Sequence, residues 1–129
     1  MNMRLFLFPL LLSLTALRAQ DTPSGEAAAV DPRMGETVRD KVGQTITIEG
    51  TPVKVGGNKS GSVCYINFTP NYKDSISVAC FVSKSPNDFT KEKLAEWVGK
   101  KIRVTGKLSD FNGALQISVE KPDQIVAVP

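Results

Sequence analysis

From Gly43 to the end of the chain, apolar and polar residues alternate in successive short runs, and this period of two admits few architectures other than a small sheet closed on itself. In the first run Ile46 and Ile48 are apolar while Thr45, Thr47 and Glu49 are polar, the pattern of a half-buried strand. The parity shifts at Gly50-Thr51-Pro52 and the pattern resumes at Val53 and Val55, which predicts a bulge where one long strand bends. Residues 56–62 are a loop by composition. Residues 63–69 and 75–83 then form two runs joined by Pro70-Asn71-Tyr72-Lys73-Asp74, a hairpin. Residues 100–109 and 114–120 form the last pair, joined by Asp110-Phe111-Asn112-Gly113, whose Asn-Gly step favours a tight turn. Residues 124–128 add a short extended segment after Pro122.

The period changes only once, between the third and fourth strands. There Ser85 can cap a helix, Pro86 suits its first position and Asp88 completes a capping box. Leu94, Trp97 and Val98 fall on one face, and Gly99 offers the left-handed stop. Gly43-x-x-Ile46-x-Ile48-x-Gly50 and Gly99-x-x-Ile102-x-Val104-x-Gly106 share one spacing, two strands that each reach a glycine where the chain must curve.

The order of three strands, a helix and two strands resembles the OB-fold, a partly open five-stranded barrel. Gly43-x-x-Ile46-x-Ile48-x-Gly50-Thr51-x-Val53, Trp97-Val98-Gly99-Lys100-x-Ile102-x-Val104-x-Gly106, Phe111-x-Gly113-x-x-Gln116-Ile117 and Gln124-Ile125 look like bacterial OB-fold domains of the nucleic-acid-binding, anticodon-binding-like type. The resemblance implies an all-β, five-stranded Greek-key barrel over residues 41–129, with one helix between strands three and four. One fold of this kind serves many functions, so the likeness specifies the barrel better than the ligand.

Upstream, Arg4 followed by Leu5-Phe6-Leu7-Phe8-Pro9-Leu10-Leu11-Leu12 and a small-residue site at Leu17-Arg18-Ala19 reads as a signal peptide over residues 1–19. The run is too short, and too interrupted by Pro9, for a permanent membrane span. The expectation is therefore an exported chain, periplasmic or secreted, with no stable membrane insertion after cleavage. Residues 20–40 mix Pro, Gly, Ser, Ala and acids without a sustained period and read as a flexible acidic linker. Losing Arg4 and Arg18 lowers the formal charge of +3 by two, and what remains is a mildly basic body behind an acidic leader.

The chain has no histidine, the commonest general base and metal ligand, and its two cysteines lack metal-type spacing. Exported OB-type nucleases cluster carboxylates with arginine, whereas here Glu49, Asp110, Glu120 and Asp123 are scattered and Arg103 is the one arginine of the barrel region. A binding protein is expected, not an enzyme, with no catalytic residue, no metal and no cofactor. A hairpin loop centred on Tyr72 places Cys64 opposite Cys80, either as a disulfide or as two buried thiols.

The parity that sends Cys64, Ile66, Phe68, Ile76, Val78 and Cys80 inward sends Tyr65, Asn67, Ala79 and Phe81 outward. OB-folds bind oligonucleotides on this face and along the adjoining loops, with aromatic rings under the bases and cations on the phosphates. Lys54, Lys59, Lys84, Arg103 and Lys107 supply charge, and Phe111 with Asn112 reaches in from the last turn. The leading expectation is weak, largely sequence-independent binding of single-stranded nucleic acid by a monomer. The alternative is an envelope module that holds a protein, glycan or small ligand on the same face. A plain account also stands beside both: the aromatics cover a barrel opening and the lysines are a solvated surface.

Overall fold

The computed structural model describes residues 29–129, so the signal-peptide expectation and the first part of the linker lie outside the described residues. A 3-10 segment, Pro32–Lys41, precedes β1 (Thr45–Gly50), β2 (Lys54–Gly57), β3 (Val63–Asn67) and β4 (Ser77–Phe81). Helix α1 (Lys91–Ala95) follows, then β5 (Ile102–Phe111), β6 (Ala114–Val119) and β7 (Ile125–Ala127).

The strands join in the order β1-β5-β6-β4-β3-β2, with β7 added to β5. β4 and β6 run parallel and the other neighbours antiparallel. Since β1 and β2 are the two halves of one bent strand, this is an OB-type small barrel with its helix between the third and fourth strands. The bend at Gly50-Thr51-Pro52 is the feature the parity shift predicts. Between β1 and β2 the circuit passes through the chain itself with no ladder, so the barrel is partly open rather than closed.

The inward parity builds one core. Ile48, Ile66, Ile76, Val78, Cys80, Ile102, Val104, Leu108, Ile117 and Val119 are fully buried, and Phe89 and, from α1, Leu94 join the same cluster. At Gly106 two strands approach closely: a Cβ there would press on the Ser118 carbonyl oxygen and lie 2.7 Å from Ile117 Cγ2. Only a residue without a side chain fits.

Two expectations need correction. The linker is not flexible to residue 40: Val30 pairs in parallel with Ile48, and Pro32, Gly35 and Val38 are buried. Their buried surface, spaced by threes, packs on the barrel and orders a segment whose composition alone carries no sustained apolar period. The helix also begins later than Ser85-Pro86 suggests. Thr90 is its cap, accepting from Lys93 N at 3.2 Å, while Ser85 Oγ donates to the Glu120 carbonyl at 2.9 Å and ties a turn to the end of β6. Gly99 does take the left-handed conformation, with φ +86°.

In the β3–β4 hairpin Cys64 faces Cys80, Tyr65 faces Ala79 and Ile66 faces Val78, the register expected from a loop centred on Tyr72. Both cysteines are free thiols in the core. Burial pushes the Cys64 thiol up, and pushes that of Cys80 up to about 12, which removes the reactive thiolate at neutral pH.

Candidate binding groove

Register sets which side chains meet on the outer face. Lys54 on β2 pairs with Asn67 on β3, Ser77 on β4 pairs with Gln116 on β6, and Gln116 pairs with Ser109 on β5. Ser77 Oγ donates to Asn67 Oδ1 at 2.9 Å and joins the two halves into one polar row. In the next row Gly56, Tyr65, Ala79 and Ser118 follow one another across β2, β3, β4 and β6. Small residues on either side of Tyr65 leave a trough along that row.

The result is a groove of about 340 Å³, near the lower end of the range that holds compact organic ligands. Its floor is Asn67, Ser77 and Gln116, Gly56 and Gly57 form one rim, and Lys54 is its cation. Three aromatic rings surround it: Tyr65 from β3, Tyr72 from the hairpin loop and Phe111 from the β5–β6 turn. Tyr65 is half-buried, whereas Tyr72 and Phe111 are 47% and 63% exposed.

Both loops that carry exposed rings are held in place locally. Asn112 and Gly113 adopt φ of 53° and 89°, the left-handed pair of a tight hairpin turn, and Asp110 Oδ1 accepts from Gly113 N at 2.7 Å. Arg39 donates to Asp110 at 3.0 Å, so the ordered N-terminal segment braces the turn that presents Phe111. Beside Tyr72, Asn71 Oδ1 accepts from Lys73 N at 3.1 Å and Thr69 Oγ1 donates to the Asn71 carbonyl at 2.7 Å.

Of the residues singled out in the sequence, the structure gathers Lys54, Tyr65, Asn67 and Phe111. Asn67 and Ala79 lie on the outer face as parity requires, yet both are buried, because neighbouring side chains and the loops stand over the sheet. Phe81 and Lys107 line a separate depression beside Glu120 and Asp123. Lys59 and Lys84 are exposed outside the groove, and Asn112 serves the turn. Arg103 is committed to Glu49, donating from Nε and Nη2 to its Oε1 at 3.1 and 2.6 Å. That hydrogen bonding holds the Glu49 carboxyl below the usual carboxylate range. Tyr72, Ser77 and Gln116 were missed, although parity puts Ser77 on the face of Ala79 and Phe81.

A larger depression, about 670 Å³, lies between residues 29–33 and the bend after β1. Its charges are already paired, Arg33 with Asp31 at 2.8 Å and Glu49 with Arg103 and Lys101. The smaller groove, with free polar groups among the described residues and open aromatics, is the better candidate. Among the described residues no group of three or more acids or cysteines could hold a metal.

No family model and no curated protein matches the sequence. Solved structures do match. A protein assigned as an aspartyl-tRNA synthetase from Leishmania major Friedlin superposes with a TM-score of 0.51 at 14% identity, over 88% of this chain and 23% of its own. The aspartyl-tRNA synthetase of Entamoeba histolytica gives 0.49 at 14% identity, over 88% and 25%. The hypothetical protein ygiW of E. coli gives 0.45 at 15% identity, over 84% and 100%. What the Leishmania protein shares with this chain is the fold. This chain spans about a quarter of the length of the two synthetases, and at 14% identity the likeness to the Leishmania protein extends to architecture alone.

Proposed function

We propose that this chain binds single-stranded nucleic acid weakly, in the groove across β2, β3, β4 and β6, and performs no chemistry on it. The observation that carries the reading is the meeting of Tyr65, Tyr72 and Phe111 around an amide-lined floor with Lys54 at its side. Unstacked bases present apolar faces and polar edges, and rings with nearby amides match both. The Leishmania protein that shares the fold is named for tRNA, which is consistent with the reading. Fluorescence anisotropy with labelled oligonucleotides at low salt tests it. Binding that weakens in Phe111→Ala is expected, and no binding at low salt would reject the reading.

Export belongs to the same proposal, supported by Arg4 and the apolar run after it. Expression in a secreting bacterial host should yield an extracytoplasmic protein whose N-terminal residue is Gln20; retention of Met1 would count against it.

One observation favours a second reading, an envelope module that holds a protein, glycan or small ligand: among the described residues Lys54 is the one cation lining the groove. Nucleic acid binding would then be absent even at low salt, while a partner captured from an envelope extract would persist after nuclease treatment.

A further inference from the structure

The floor of the groove holds a polar group whose orientation is restricted. Asn67 is 5% exposed, and its Oδ1 accepts the hydrogen bond from Ser77 Oγ, itself buried. Oδ1 is thus the end of the amide turned to Ser77. Nδ2 carries two donors and makes no hydrogen bond among the described residues, while Asn67 lines the groove. A buried donor without a partner destabilises the fold, and an acceptor from a ligand would remove that cost.

We infer that Asn67 selects among bases: resting on the nucleic-acid reading of the groove, it favours a base that bears a carbonyl oxygen over adenine. An asparagine recognises adenine by donating to N7 and accepting from the N6 amine. Here the accepting oxygen is engaged by Ser77, so the face turned to the groove offers donors. Thymine, uracil, cytosine and guanine each bring a carbonyl oxygen to such donors. Adenine has none: its N1 and N7 can accept, but each lies beside the N6 amine, which would set donor against donor. The aromatic rings hold any base, and the amide grades them.

The test uses the full mature chain and labelled oligonucleotides of about ten nucleotides, a length OB folds accommodate. Oligo-dT, oligo-dA and an abasic deoxyribose-phosphate strand are compared by anisotropy at low salt. One hydrogen bond gained predicts dT binding roughly fivefold tighter than dA. Asn67→Ala should bring that ratio to near one, chiefly by weakening dT. Ser77→Ala frees the oxygen, lets the amide accept from adenine, and should lower the ratio by strengthening dA. Because Ser77→Ala removes one oxygen atom, it keeps the test open if Asn67→Ala does not fold. A ratio unchanged in either folded variant overturns the role of Asn67 and leaves the groove reading standing. If no strand binds, or the abasic strand binds as well as the others, the groove reading itself fails and takes the inference with it.

Discussion

Two halves of the outer sheet face are built from similar residues and use them in opposite ways. On the β1–β5 flank, Thr47 Oγ1 and Thr105 Oγ1 bond to each other at 2.8 Å, and Glu49 holds Arg103 and, at 3.6 Å, Lys101. In the groove half, Phe111 stands open and the side-chain amides of Asn67 and Gln116 have donors with no partner among the described residues. The flank satisfies its polar groups internally and gains order. The groove leaves capacity unfilled, at a cost in stability that a ligand can offset. Residue type on a sheet face therefore says less about binding than its partner in register does.

The sharpest way to break this contrast is to damage the flank where it is tightest. Gly106→Ala would drive a methyl group into the Ser118 carbonyl and Ile117. A loss of roughly 2–4 kcal/mol of folding stability is expected, since neighbouring backbone must move to admit it. Chemical denaturation measures this directly. An unchanged midpoint would mean that the close approach of β5 and β6 is not a structural requirement.

The reverse case is Phe111→Ala. The ring is mostly exposed and sits on a turn held by Asp110 and Arg39, so stability should change by less than about 0.5 kcal/mol. Oligonucleotide affinity should fall by about 1–3 kcal/mol, the cost of losing one stacked base. Equal losses of stability and affinity would erase the distinction between the two halves.

Much of this was legible in the sequence because alternation records which face a side chain occupies. The bend at Gly50, the Asn112-Gly113 turn, the pairing of Cys64 with Cys80 and the placement of Tyr65 and Phe111 all follow from local pattern. Arg103 could not be read in this way. Its partner Glu49 is 54 residues away, and only the pairing of β1 with β5 brings them together. The same holds for Pro32, Gly35 and Val38, whose burial depends on a barrel that local composition does not show. Whether the two cysteines are bridged was equally out of reach, because register brings them face to face but redox state depends on surroundings.

On the flank, the Glu49 carboxyl is held low by the Arg103 hydrogen bonds and the charge beside it. A carboxylate with a lowered folded pKa contributes stability above its unfolded pKa and loses it as pH falls through the folded one. Glu49→Gln should thus melt slightly below the natural protein at neutral pH, and the difference should vanish in acid, below the usual carboxylate range. Thermal melts across that range check it. Oligonucleotide affinity at neutral pH should not change, and a substantial loss would place Glu49 and Arg103 in the binding surface after all.

The smallest effect gives the finest resolution of the two halves: the response of binding to salt. For single strands the logarithmic slope is about −0.7 per neutralised phosphate. If Lys54 is the groove's cation, raising salt from about 50 to about 200 mM should weaken binding by about threefold. If Lys59, Lys84, Arg103 and Lys107 also met phosphates, the same change would weaken it by about a hundredfold. A shallow slope that becomes flat in Lys54→Ala, with no change in Lys107→Ala, would confine contact to the groove. A steep slope would instead mean that the strand runs past Ala79 and Ser118 toward Phe81 and Lys107, and that the groove is one station on a longer track.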